Sequence, residues 1–232
     1  MKRIIAIGGG DLRERSTLKI DEYLASLAKA HAGEKRANAL FLPTASHDFM
    51  PYYNTFHKVY TGLFDIKTDV ALSVFKEVDI EKMKGKFEKA DLIYVGGGDT
   101  VFMIEQWKKT GLLPLIKDAY ERGVVIAGLS AGAICWFSDI YTDSLKTEDG
   151  AQYAMFEGLG WIKGIISPHY NARMLDFDKI VCYNYPRAYG IENDAAIVVE
   201  NGEVVGSLTS GGKAWLLEKV GEELTKTEIE KI

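Results

Sequence analysis

Residues 124–133 read Val124-Val125-Ile126-Ala127-Gly128-Leu129-Ser130-Ala131-Gly132-Ala133, an apolar run, then Gly128-x-Ser130-x-Gly132, then helix formers. This is the sequence form of a nucleophile elbow, in which a strand turns sharply into a helix through a strained serine. Such a turn leaves no room for side chains two residues before and after the serine, which accounts for the glycines. It predicts Ser130 Oγ lifted off the backbone beside a helix N-terminus, whose unpaired N–H groups and dipole favour a developing oxyanion. The same pentapeptide also suits a plain small-residue connection between strand and helix in any α/β protein.

Outward from this stretch, short runs rich in Ile, Val and Leu alternate with segments of helical period. That is the pattern of a mainly parallel sheet with crossover helices on both faces. Strands are predicted at residues 3–8, 39–43, 66–72, 91–95, 124–127 and 164–167. Helices are predicted at 16–32, 52–63, 79–89, 112–122 and 174–185. Another helix carries Val101, Phe102, Ile104 and Trp107 and follows Gly96-Gly97-Gly98, with Asp99 as its cap. Ala195–Glu200 and Glu203–Leu208 form a hairpin across Asn201-Gly202, since both turn residues tolerate positive φ. Ala214–Glu218 adds one more strand before a charged C-terminal tail. The chain is expected to be one domain.

Composition narrows the function classes. With 28 Lys+Arg against 33 Asp+Glu the formal charge is −5, and neither sign forms a block, which argues against nucleic acid and anionic membranes as partners. Cys135 and Cys182 stand far apart, without a CxxC pair or His-rich cluster, so a reducing compartment and no structural metal are expected. The apolar stretch Ile4–Ile7 is too short for a signal sequence, and no run approaches a spanning helix. A cytoplasmic protein, monomer or homodimer, follows as the expectation. Neither glycine triplet continues as Gly-x-Gly-x-x-Gly or as Gly-Lys-Ser/Thr, so no nucleotide cofactor is expected.

A serine hydroxyl needs a base in reach, most often a histidine, itself oriented by a carboxylate. The chain has 4 histidines. His31 and His57 fall on helices and read as surface or packing residues, and His47 follows the second strand in a loop. His169 ends the run Ile166-Ser167-Pro168, at the carboxyl end of a strand where open α/β sheets place their ligands, and is the best base. For the acid, the spacing leaves Glu192, Asp143, Glu148 and Asp149 open.

Three motifs in this order, Gly96-Gly97-Gly98-Asp99-Thr100, Gly128-Leu129-Ser130-Ala131-Gly132-Ala133 and Ser167-Pro168-His169, resemble peptidase family S51, which contains aspartyl dipeptidase and the cyanophycinases. The resemblance runs over nearly the whole chain. It implies a fold similar to class I glutamine amidotransferases and a serine peptidase acting on a small peptide or amide. By that resemblance Ser130 is the nucleophile, His169 the base, and Glu192 the acid, with Asp143 the alternative. The amides of Ala131 and Gly98 then form the oxyanion hole.

Two departures bear on the substrate. Asp99 stands where the dipeptidase has asparagine. In addition, Asp176–Tyr183 contains no arginine where the dipeptidase carries the one that holds the substrate's N-terminal aspartate. Arg173 and Arg187 flank that region and can replace it only if one reaches the site, since a buried aspartate without a cation keeps its desolvation cost. Asp-X dipeptides are therefore not expected to be favoured. Two rival readings are an α/β-hydrolase esterase, whose triad runs Ser, acid, His, and a silent binding protein in which Ser130 merely lines a pocket.

Overall fold

The computed structural model describes residues 1–144, 153–221 and 223–232. From β1 (Arg3–Ile7) the chain alternates strand and helix through α1 (Leu18–Ala32), β2 (Asn38–Leu42), α2 (Met50–Phe64) and β3 (Lys67–Val70). It continues through α3 (Ile80–Glu88), β4 (Leu92–Val95), α4 (Thr100–Thr110), α5 (Leu112–Glu121) and β5 (Val125–Leu129). These five strands pair in parallel in the order β1-β5-β4-β2-β3. The predicted helices and strands of this half all form, with ends shifted by a few residues.

Side chains that alternate across a strand sort this sheet into two cores. Ile5, Ile7, Phe41 and Tyr94 pack with Leu24 of α1 and Phe56 and Tyr60 of α2. Ile4, Ala6, Leu40, Ile93 and Val95 pack on the other face with Phe87 of α3, Trp107 of α4 and Ile116 of α5. Ile4, Ile5 and Ile7 are all 0% exposed, and burying each such side chain is worth about 1.5–3 kcal/mol, so the strands are held from both faces.

After β5 the pattern changes. A single turn, α6 (Ala131–Ile134), leads at once to β6 (Phe137–Thr142), then β7 (Ala154–Glu157), β8 (Ile162–Ser167), α7 (Tyr170–Asn184) and β9 (Arg187–Ile191). β10 (Ala195–Glu200) and β11 (Glu203–Thr209) form the predicted hairpin and pair antiparallel onto β1, completing a seven-stranded sheet. β12 (Ala214–Val220) and β13 (Glu223–Glu228) instead join β9, β8, β6 and β7 in a second, six-stranded sheet. Phe137, Ile140, Ile166 and Tyr189 of this second sheet extend the core that covers α4 and α5. Its other face packs on α7 through Ile165, Phe177, Val181 and Leu217.

The α/β class read from the sequence holds, and the structure adds a second sheet to it. The helix predicted after Ser130 is only one turn long. Trp136 caps it by donating its indole N–H to the Gly132 carbonyl at 2.8 Å, and the aromatic Trp136-Phe137 pair then starts a strand. A macrodipole needs aligned peptides, so so short a helix supplies little field at Ser130. No described helix is long and apolar enough to cross a membrane.

Candidate active site

β5 delivers Ser130 from the first sheet, and β8 delivers His169 from the second. Both residues sit in left-handed backbone, Ser130 at φ 53° and His169 at φ 49°, a conformation that residues with a Cβ adopt only when their surroundings impose it. The restraints are visible. Ser130 N–H donates to the Ile7 carbonyl at 2.9 Å, and His169 N–H donates to the Gly8 carbonyl at 3.0 Å, so both hang from the end of β1. A methyl on Gly128 would collide with the Gly132 backbone, and one on Gly132 would lie 2.7 Å from Val95 Cβ, which is the steric basis of the Gly-x-Ser-x-Gly spacing.

These restraints bring the two side chains together. Ser130 Oγ lies 2.9 Å from His169 Nε2. Burial lowers the histidine's pKa from its usual range, with smaller influences from a hydrogen bond to Asn193 and the charges of Arg173 and Asp143. The ring is therefore neutral and able to accept a proton near pH 7.

The other side of the ring departs from the sequence reading. His169 Nδ1 is 2.6 Å from Asn193 Oδ1. Glu192, the expected acid, points elsewhere: its carboxylate accepts from Trp215 Nε1 at 2.9 Å and Lys213 N–H at 3.0 Å. Side chains of adjacent residues at a strand end take opposite sides, so a one-residue error in register exchanges Glu192 for Asn193. The alternative acid Asp143 is half exposed and ion-paired to Arg173 at 3.3 Å. Glu148 and Asp149 lie outside the described residues.

Of the two residues expected to supply oxyanion amides, Ala131 follows the serine at the start of α6 and Gly98 lies in the loop after β4. Across β5, the Gly96-Gly97-Gly98 turn brings Gly97 so near that a methyl there would touch Ser130 Cβ at 3.4 Å. Gly98 has φ 139°, and Asp99 N–H donates to the Ala45 carbonyl at 2.8 Å, which ties down the loop. Asp99 serves as the cap of α4, accepting from Phe102 N–H at 3.0 Å as its position predicts. Ser144 Oγ accepts from Thr100 N–H at 2.9 Å, so the end of β6 closes against the start of α4.

A family model described as Peptidase family S51 matches residues 4–206. The chain belongs to peptidase family S51. An uncharacterized peptidase of Bacillus subtilis, YgaJ, is 32% identical over 99% of this chain and 97% of its own length. A peptidase E of Salmonella arizonae is 25% identical over 83% of this chain and 85% of its own. Among solved structures, a peptidase from an acI-B1 actinobacterium superposes with a TM-score of 0.73 at 18% identity, covering 99% of this chain and 97% of that one.

In this S51 peptidase the two flanking arginines have different fates. Arg187 lies on β9 in an exposed pair with Glu218, 2.8 Å apart, and belongs to the outer surface of the second sheet. Arg173 stands one helical turn beyond His169, only 6% exposed, donating to the Tyr141 carbonyl at 3.1 Å and lying 4.6 Å above the Tyr153 ring. Of the other histidines, His31 pairs with Asp91, His57 with Thr68, and His47 lies against the Phe102 ring, 4.1 Å between centroids.

The sequence reading missed Asn193 and the part played by Gly8-Gly9-Gly10. A methyl on Gly9 would meet Asn193 Oδ1 and stand 2.5 Å from His169 Nδ1, so this triplet is the floor beneath the histidine and its partner. The signal was the triplet itself at the end of β1, the neighbour of β5. Beside it runs a groove of about 340 Å³ between Gly10, Leu12 and Arg13 on one side and Phe49, Tyr52 and Thr55 on the other. A larger depression of about 690 Å³ lies between α3 and the starts of β2 and β3, at the opposite ends of the strands, away from Ser130.

Proposed function

We propose that the protein hydrolyses short peptides by acyl transfer through Ser130. The observation that carries this reading is the 2.9 Å approach of Ser130 Oγ to His169 Nε2, made by two residues from different sheets that are both held in strained backbone. Backbone strain persists only where the surroundings impose it and clusters at active sites, which supports the reading when both members of a contacting pair carry it. His169 Nε2 takes the hydroxyl proton as Oγ attacks the scissile carbonyl. The oxyanion is received by the amides of Ala131 and Gly98. The imidazolium then gives its proton to the departing amine, and water admitted to the same base releases the acyl group.

Short substrates are what the likeness to the aspartyl dipeptidase of peptidase family S51 implies. The acyl side is not expected to prefer aspartate. Arg173 is the one flanking arginine at the site, and Asp143 already partners it. An incoming aspartate would have to displace that carboxylate, which cancels much of the gain.

The test uses Ser130→Ala, His169→Ala and the double variant on a panel of dipeptides that differ in the first residue. Each single variant is expected to lose on the order of 10⁴-fold in kcat, with little further loss in the double, because the two residues act as a unit. Additive losses would refute the pairing. A preference for Asp-X of about a hundredfold or more in kcat/KM would refute the specificity.

A further inference from the structure

We propose that Asn193, a neutral amide, is the residue that positions His169 for its work on Ser130. This rests on the reading of Ser130 and His169 as nucleophile and base. An amide oxygen only accepts, so the 2.6 Å contact with Asn193 Oδ1 requires the proton of the neutral ring to reside on Nδ1. Nε2 is then left with its lone pair facing Ser130 Oγ, which is the tautomer a general base needs.

The carboxylates nearby are committed to other partners. Glu192 serves Trp215 and Lys213, Asp143 serves Arg173, and Asp194 Oδ1 accepts from Ser16 Oγ at 2.5 Å. Asn193 itself is held through its backbone. Its N–H donates to Asn171 Oδ1 at 3.3 Å, and the next amide, of Asp194, donates to the Gly9 carbonyl at 2.9 Å. Gly212 packs on the Asn193 carbonyl and Gly9 on its side chain, both without a Cβ to push it away.

A neutral partner has a chemical consequence. It fixes the ring without adding a negative charge, so the imidazolium gains less than it would beside a carboxylate. Among the described residues, the charged groups around His169 are Arg173 on α7, Asp143 just after β6, and Glu192 and Asp194 on either side of Asn193. With no carboxylate in contact among the described residues, burial dominates, and the base stays unprotonated to lower pH than an unperturbed histidine.

The experiment compares wild type, Asn193→Asp, Asn193→Leu and Ser130→Ala. It follows the pH profile of kcat/KM on a dipeptide p-nitroanilide and the ¹⁵N resonances of the His169 ring. Asn193→Asp is expected to move the acid limb up by about one unit, because a carboxylate beside a histidine favours its charged form. Asn193→Leu is expected to lower kcat about tenfold or more with KM within about twofold, as positioned proton transfer contributes roughly 10²–10⁴. Its ring should also show a rise in the Nε2–H tautomer. An unmoved limb in Asn193→Asp, or a wild-type kcat and tautomer in Asn193→Leu, would overturn the proposal. Activity surviving in Ser130→Ala would instead remove the reading beneath it.

Discussion

Two glycine triplets of the same sequence, Gly8-Gly9-Gly10 and Gly96-Gly97-Gly98, end the two strands that flank β5, and they do different work. The middle glycine of the first lies against side chains: a methyl on Gly9 meets Asn193 and the ring of His169. The last glycine of the second lies against backbone: a methyl on Gly98 would stand 2.5 Å from the Ala45 carbonyl carbon, at φ 139°. The absent Cβ thus makes room for His169 on one side of Ser130 and lets the loop after β4 lie against the Ala45 backbone on the other. Identical residues at equivalent strand ends acquire their roles from the neighbours that the topology brings to them.

This contrast can be broken by adding single methyl groups. Gly98→Ala is expected to have the largest effect, because neither the Ala45 backbone nor the positive φ can yield cheaply. Forcing a non-glycine residue there costs on the order of 1–3 kcal/mol. Losing one oxyanion donor removes about 10²–10³ in kcat, so both Tm and kcat should fall. Gly9→Ala is expected to cost roughly 10²-fold in kcat with a small change in Tm, since the methyl displaces His169 and Asn193 rather than the backbone, and small misplacements of reacting groups cost about that much. Gly97→Ala should cost only a few-fold, because the nearest atoms, at 3.2 and 3.4 Å, can give by a few tenths of an ångström. Kinetics and thermal melts of the three variants check the ranking. If Gly9→Ala unfolded the protein while Gly98→Ala left kcat intact, the division of labour would be reversed.

The first half of the fold was legible because its signals are local. Four apolar strands, β1, β2, β4 and β5, buried on both faces with helices between them, impose a pattern that a short window detects, and the Asn201-Gly202 turn announces its hairpin. Of the second sheet only β8 and β12 were legible. β6 carries Ser138 and Asp139, β9 carries Arg187 and Gly190, and β13 is a mostly exposed edge of alternating charge, so none reads as a buried strand. Those strands form because α7 packs on their sheet and strands distant in sequence pair with them, which is tertiary information.

At the site, the serine could be read from its glycines, whose spacing records a steric requirement of one turn. His169 could be read from its place after β8. The residue that orients it could not, because Glu192 and Asn193 are adjacent, and a one-residue register decides which side chain faces the ring. The resemblance to family S51 favoured the glutamate. Trp215 and Lys213, from β12 and the turn before it, hold that glutamate elsewhere.

The central claim is that Ser130 is a nucleophile activated by His169. It is tested most directly by reacting the protein with a fluorophosphonate and locating the adduct by mass spectrometry, because the reagent needs the same oxygen and base as acylation. One adduct is expected, on Ser130, forming at least about 10²-fold more slowly in His169→Ala, the lower range of what a general base contributes. An adduct elsewhere, or labelling of Ser130 that proceeds equally fast without His169, would contradict it.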